Sequence, residues 1–302
     1  TAITTSKTQV ESIKGQLNDK VSIIVEPERR NTFPAIMLSA AYLYFEKKCG
    51  FDETVVILPV DPYVDNRYFS TLKLLDKAIQ TGAAEIVLMG VKPTYPSEKY
   101  GYIIPAETSQ EAVSVKSFKE KPDTLTAGEL IKQGALWNCG VFAAKLSYLT
   151  NILKSRLSCN SYSDVFENYS KLEKNSFDYV VLEKSKSIAV IPYDGEWKDL
   201  GTWNTLTEVM DNKPIGDVIL TEDCQNTHAI NELEIPVIVM GAKDMVVAAS
   251  PDGILVADKE QSSYIKKYVE NCDMRPMFEE RSWGDYTVLN VSIDEQENKT
   301  VT

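Results

Sequence analysis

The stretch Val21-Ser22-Ile23-Ile24-Val25-Glu26-Pro27-Glu28-Arg29-Arg30-Asn31-Thr32-Phe33-Pro34-Ala35 decides the fold class. Val21 to Val25 is short, β-branched and nearly free of polar groups, the composition of a buried parallel strand. Pro34 falls in the first turn of the segment that follows, where a missing N–H costs nothing, and Thr32 is placed to cap that turn. The helix is expected to run from Ala35 to about Lys48, with Gly50 as its stop. Arg30, Asn31 and Thr32 are thereby gathered at a strand exit facing the positive end of a helix, where a phosphate or a nucleobase edge is well received. A plain capped turn with exposed arginines fits the same residues.

Outward from this unit, apolar runs and helical periodicities alternate to about residue 210. Strands are expected at Ile3–Thr5, Val55–Leu58, Ile86–Val91, Val113–Phe118, Gly140–Ala144 and Ser187–Pro192. Helices are expected at Lys7–Asn18, Phe69–Thr81, Ala127–Gln133, Ser147–Leu157 and Tyr162–Leu172. Strands interleaved with helices imply an α/β sandwich, a mostly parallel sheet covered on both faces. After Pro214 the texture changes to short β-rich runs with frequent turns, from Asp217–Leu220 to Ile254–Ala257, which fit the stacked coils of a β-solenoid. The expected organisation is a catalytic domain over 1–213, a small left-handed β-helix-like domain over 214–274, and a linker over 275–302.

The chain of 302 residues carries 32 basic and 44 acidic side chains, a net charge of −12, with no basic patch. This repels nucleic acid backbones, and an anionic ligand must be met by local cations or a metal. No apolar run approaches the roughly 20 residues that cross a bilayer, so no membrane partner is expected. Five scattered cysteines without a C-x-x-C pair point to reduced thiols and a cytoplasmic setting. The sole histidine, His228, reads as a surface residue without a catalytic role.

Ligands of an open sheet collect at strand ends, so polar residues just after apolar runs are the candidates for a site. Asp61 follows Leu58-Pro59-Val60, and Asp199 lies between Trp197 and Trp203. Two carboxylates from separate strand ends can share one Mg²⁺ and leave positions for phosphate oxygens; a turn aspartate and packed tryptophans are the plain alternative. Tyr100-Gly101-Tyr102 offers accessible backbone and rings to stack on a sugar. Glu120 can accept sugar hydroxyls, Lys121 supplies a point charge for a phosphate, and Asn138 suits a vicinal diol.

The ordered series EPERRNTFPAI, LPVD, KPTYP with YGYI, FKEKPD, LWNCGVF, SFDYVVLEK and WKDLGTW, over about residues 1 to 290, resembles the sugar-1-phosphate nucleotidyltransferases, and among them the branch that joins GTP to mannose 1-phosphate. The resemblance implies a Rossmann-like α/β/α fold, Mg²⁺ on Asp61 and Asp199, and a guanosine side lined by Glu26, Arg30, Asn31, Thr32 and Pro59. It places Tyr100, Gly101, Glu120, Lys121, Asn138 and Gly140 around the sugar phosphate, with Asp178, Glu183 and Lys184 near it. Arg281 to Asn290, around Trp283, resembles the stretch that leads into a cupin-type domain in longer members. Two departures stand out. Pro62 occupies the place of a histidine after the first metal aspartate, and the family's glycine-rich phosphate loop is absent, no two of the fourteen glycines being closer than six positions. The chain is therefore expected to be an internal piece of a longer protein, inactive alone. A catalytically inactive nucleotide-sugar binding module, or an enzyme for another hexose 1-phosphate, remain as alternatives, and the oligomeric state, a homodimer included, stays open.

Overall fold

The computed structural model describes every residue except 108, 110, 270–276, 282, 283, 290, 294–298 and 302. Trp283 and Cys272 thus lie outside the described residues. The chain divides into two compact units, Thr1–Val60 with Val64–Trp197, and Asp61–Tyr63 with Lys198–Thr302.

The elements of the first unit are β1 (Ala2–Thr5), α1 (Val10–Leu17), β2 (Ser22–Val25), α2 (Thr32–Ala41), β3 (Thr54–Ile57), β4 (Pro62–Val64, which begins in the second unit), α3 (Arg67–Gln80), β5 (Ile86–Val91), β6 (Gly101–Pro105), β7 (Val113–Lys119), α4 (Thr124–Lys132), β8 (Leu136–Lys145), α5 (Leu146–Arg156), α6 (Tyr162–Glu167), α7 (Phe177–Val180), β9 (Ile188–Tyr193) and β10 (Trp197–Asp199, which ends in the second unit). β1 and β2 pair in parallel as a sheet of their own. The main sheet has the order β3-β8-β5-β9-β7-β6, and β6 also pairs with β8.

The expectation of a mostly parallel sheet is corrected here. Only β5 and β9 run parallel; β8 is antiparallel to β3, β5 and β6, and β7 is antiparallel to β6 and β9. Alternation of strand and helix along the chain suggested crossovers, but β8 is a ten-residue strand inserted against the grain. Its pairing with β5 shifts between Leu88 and Gly90, and beyond that irregularity β6 pairs with Leu136–Asn138.

Side chains alternate across β8 with the period of two expected of a strand. Trp137, Cys139, Val141 and Ala143 face a core with Tyr68, Leu75 and Ile79 of α3. Phe142 and Ala144 face the opposite core, with Phe33, Met37 and Leu38 of α2, Leu149 and Leu153 of α5, and Phe177 and Val180 of α7. Both faces of the sheet are covered, as an α/β sandwich requires. The helix after β2 starts at Thr32 rather than Ala35, and continues beyond Ala41 as a wider turn over Tyr42–Glu46. Asn31, not Thr32, is its cap, the Asn31 side chain accepting the Thr32 N–H at 2.8 Å with Asn31 at φ 75°.

In the second unit lie α8 (Trp203–Thr207), β11 (Val218–Leu220), β12 (His228–Asn231), β13 (Val237–Val239), β14 (Met245–Ser250), β15 (Gly253–Asp258), α9 (Lys259–Ser262), α10 (Lys266–Val269) and β16 to β19 (Phe278–Arg281, Gly284–Thr287, Val291–Ile293, Lys299–Val301). β11 pairs with β13 and β12 with β14, both in parallel, and β15 closes back antiparallel on β14. The stretch expected as a linker carries two antiparallel pairs, β16 with β17 and β18 with β19. His228, expected at the surface, is 4% exposed. It begins β12 opposite Val246, and burial together with the Lys259 charge pushes its pKa down.

Candidate active site

Three strand ends of the first unit place the sugar-side residues together. Gly101 pairs with Asn138 across β6 and β8, and Tyr102 pairs with Lys119, the residue before Glu120. Gly101 therefore sits between Asn138 and Glu120, and the closeness is tight. A Cβ at Gly101 would collide with Glu120 Oε2 and lie 2.9 Å from Phe118 Cζ.

Glu120 is 7% exposed. Its Oε1 meets Lys121 Nζ at 3.2 Å, and the Lys121 backbone adopts φ 44°. Its Oε2 is buried without a hydrogen-bond partner, a costly state for a carboxylate oxygen. Burial first, and then the nearby Asp178 charge, push the Glu120 pKa up to about 7, against the pull of Lys121. Asp178 is raised as well, chiefly by burial, with Asn138 working the other way.

Asn138 is held at both ends. Its Nδ2 donates to Asp178 Oδ1 at 2.6 Å, and its Oδ1 accepts the Gly140 N–H at 3.2 Å. Gly140, at φ 73°, lies beside Pro59, whose Cγ and Cδ would be 3.8 Å from a Cβ there. Glu183 Oε1 accepts the Glu120 N–H at 3.1 Å. The sequence thus brought seven expected sugar-side residues into one cluster: Gly101, Glu120, Lys121, Asn138, Gly140, Asp178 and Glu183. Lys184 is exposed beside it along the chain. Tyr100 packs elsewhere, its ring 4.9 Å from Trp137 and 5.6 Å from Trp197 in an aromatic cluster with Tyr95. Tyr102 is fully buried, its hydroxyl donating to Ser97 O, so this ring is no sugar platform. Cys139 is buried with its thiol pKa pushed up to about 12, a small core residue as its neighbours suggest.

The expected nucleotide-side residues follow β2. Glu26 Oε2 accepts the Tyr169 hydroxyl at 2.6 Å. Arg30 donates from Nη2 to Leu172 O at 3.1 Å and from Nη1 to Glu28 at 3.2 Å, while its buried Nε has no partner. Thr32 Oγ1 accepts the Phe177 N–H at 2.9 Å, and the Phe33 N–H donates to Asn175 O at 3.2 Å. Tyr169 escaped the sequence reading because it lies 143 residues from Glu26, with no local sign of the contact.

β4 pairs with β10 in a two-stranded ribbon. Just beyond one end, the Asp65 N–H donates to Glu196 O at 3.3 Å. Residue 65 follows β4 and residue 196 precedes β10, so the strands run antiparallel, and Asp61 and Asp199 both lie at the other end. Asp65 is held by Arg67 Nη2 at 2.8 Å and the Tyr193 hydroxyl at 2.8 Å, contacts that lower its pKa. Asp61 is exposed, and Asp199 Oδ1 accepts the Gly201 N–H at 2.7 Å. A pair of hard oxygen donors suits a divalent cation whose coordination is completed by phosphate or water. Among the described residues, no group of three or more His, Cys, Asp or Glu could hold a metal ion.

The model of the Nucleotidyl transferase family matches residues 3–214. The chain belongs to that family. Among its relatives, the alginate biosynthesis protein AlgA of Pseudomonas aeruginosa is 31% identical over 93% of this chain and 64% of its own length. The mannose-1-phosphate guanylyltransferase ManC of Salmonella typhimurium is 29% identical over 89% of this chain and 62% of its own. The chain thus spans less than two thirds of the length of these relatives. A crystal structure of mannose-1-phosphate geranyltransferase from Thermus thermophilus superposes with a TM-score of 0.73 at 25% identity, covering 89% of this chain and 83% of that one. The family model and this superposition agree on a nucleotidyltransferase-like α/β fold.

Proposed function

We propose that this chain carries the site that joins GTP to α-D-mannose 1-phosphate, releasing GDP-mannose and pyrophosphate. The observation that carries the reading is the buried, partnerless Oε2 of Glu120 in a cluster with Asn138, Asp178 and Lys121. A buried acceptor without a donor suits a ligand hydroxyl, and the neighbouring Lys121 ammonium suits the phosphate of the same ligand. The names of the relatives, mannose-1-phosphate guanylyltransferase among them, favour mannose 1-phosphate over other sugar phosphates.

An oxygen of the sugar phosphate attacks the α-phosphorus of GTP, the new P–O bond forms as the bond to the β-phosphate oxygen breaks, and pyrophosphate departs with that electron pair. Little covalent chemistry falls to side chains; alignment and electrostatics supply the rate. Glu120 and Asn138 orient the sugar through its hydroxyls, and Lys121 holds its phosphate. Arg30 offers its free Nε–H to the nucleotide. Asp61 and Asp199 would hold a divalent cation, Mg²⁺, which would neutralise charge on the triphosphate. The parallel pairings of β11 with β13 and β12 with β14 are read as coils of a small solenoid.

Pyrophosphate release by the full-length protein, measured over a panel of nucleotides and sugar 1-phosphates with Mg²⁺, tests the reading. Preference for GTP with mannose 1-phosphate supports it; equal rates with UTP or dTTP and glucose 1-phosphate overturn it.

A further inference from the structure

The two sets of expected ligand residues in the first unit are joined by one short segment, and its bonding reassigns Thr32. We propose that Thr32 is a positioning residue for the sugar-phosphate pocket, holding through the Asn175–Asp178 turn the carboxylate that orients Asn138. The inference rests on the reading of Glu120 and Asn138 as a sugar 1-phosphate pocket.

Asn31, at φ 75°, turns the chain so that α2 begins against that segment. The polar groups at this corner are already committed. The Thr32 N–H goes to Asn31 Oδ1, the Phe33 N–H to Asn175 O, and Thr32 Oγ1 receives the Phe177 N–H at 2.9 Å. The threonine hydroxyl thus satisfies a backbone donor 145 residues away in sequence. A nucleotide contact would have to compete with that bond or use the hydroxyl proton and the one lone pair that remain.

α7 is a four-residue turn and has no stability of its own. It is held by the Ser176 cap on the Tyr179 N–H, by Phe177 stacked on Phe142 with ring centroids 4.7 Å apart, and by Thr32. The next residue, Asp178, receives Asn138 Nδ2 at 2.6 Å, a charge-assisted bond that fixes which way the amide faces. The other end of that amide receives the Gly140 N–H. A shift of Phe177 therefore moves Asp178, frees the Asn138 amide and loosens Gly140. Farther along the same segment Glu183 accepts the Glu120 backbone N–H, so Ser176 to Glu183 holds the Asn138 side chain and the main chain that carries Glu120.

The test compares Thr32→Val, which keeps the shape and removes the hydroxyl, with Thr32→Ser, which keeps the hydroxyl, in the full-length protein. Loss of one such hydrogen bond is worth about 1 kcal/mol, about fivefold in an equilibrium constant. For whichever sugar 1-phosphate the wild type uses, Thr32→Val is expected to raise its KM about fivefold, with the nucleotide KM within twofold; Thr32→Ser is expected to restore the wild-type value. Combined with Asp178→Asn, Thr32→Val is expected to add less than twofold, since both act on one chain of contacts. Amide hydrogen exchange gives a readout free of activity: Thr32→Val should speed exchange at Phe177 and also at Gly140, whose amide depends on Asn138. The inference is overturned if only the nucleotide KM moves, if Thr32→Ser fails like Thr32→Val, if the two substitutions multiply, or if Phe177 quickens while Gly140 does not. A wild type that prefers another nucleotide or sugar overturns the proposed substrates and leaves the Gly140 result to decide this one.

Discussion

The proposed sugar side and the proposed nucleotide side of the first unit spend their polar atoms differently. On the sugar side, Glu120 and Asp178 are desolvated, their pKa values are raised, and one carboxylate oxygen waits without a donor. On the nucleotide side, Glu26, Asn31 and Thr32 are already bonded to Tyr169, to their own backbone and to Phe177, and Arg30 Nε is buried without a partner. On the proposed reading, one series of motifs holds two kinds of residue: those left open to a ligand and those that build the wall. Energy stored in an unsatisfied buried group is recovered on binding, whereas a satisfied group gains little from a ligand.

The largest effect is expected at Gly101. Gly101→Ala places a methyl against Glu120 Oε2 and Phe118, and overpacking of this kind costs about 1–3 kcal/mol. The KM for mannose 1-phosphate should rise about 10- to 100-fold with the GTP KM nearly unchanged; steady-state kinetics read both. Equal damage to the two values would erase the contrast between the sides.

Glu26→Ala probes the other side. It leaves the buried Tyr169 hydroxyl without its acceptor, at a cost of about 1–3 kcal/mol. The expected outcome is a melting temperature lower by several degrees with the GTP KM changed less than threefold. A tenfold rise in GTP KM at unchanged melting temperature would show Glu26 to be a ligand group and break the comparison.

The pH dependence of the unliganded protein sharpens it further. Glu120 titrates at about 7 in the fold and near 4.5 when unfolded, so the native state binds more protons between those values. Its contribution to stability is fully present below about pH 4.5 and is lost as pH rises through about 7. Thermal melts across pH 4.5 to 8 should therefore show a decline that Glu120→Gln flattens; an identical decline in the variant would remove Glu120 as its source. The smallest effect is expected for Lys184→Ala, an exposed change that should leave both KM values within about twofold.

Much of this was legible in the sequence because local chemistry and strand ends coincide. The apolar runs of β5, β9 and β15 were found within about two residues, and Glu120, Asn138, Asp178 and Glu183 each follow or lie in recognisable motifs. What escaped was non-local. The direction of β8 depends on which partners it finds, and nothing in Leu136–Lys145 encodes antiparallel pairing. The packing of the half-buried Tyr100 ring on Trp137 and Trp197 was not legible either, since an exposed ring and a packed ring have the same letter. His228 was misplaced because a lone histidine carries no sign of the strand with Val246 that pairs beside it. The Asp65, Arg67 and Tyr193 contacts were legible only in part, since Asp65 and Arg67 are near neighbours but Tyr193 is 128 residues from Asp65.

The most direct test of the central claim, that the Glu120 pocket takes the sugar phosphate, is a paired pH profile of KM for mannose 1-phosphate in the full-length wild type and Glu120→Gln. An ionised Glu120 accepts sugar hydroxyls best, so the wild-type KM should fall as pH rises through about 7, and that Glu120-dependent fall should be missing from the variant. Superimposable profiles for the two proteins would contradict the account.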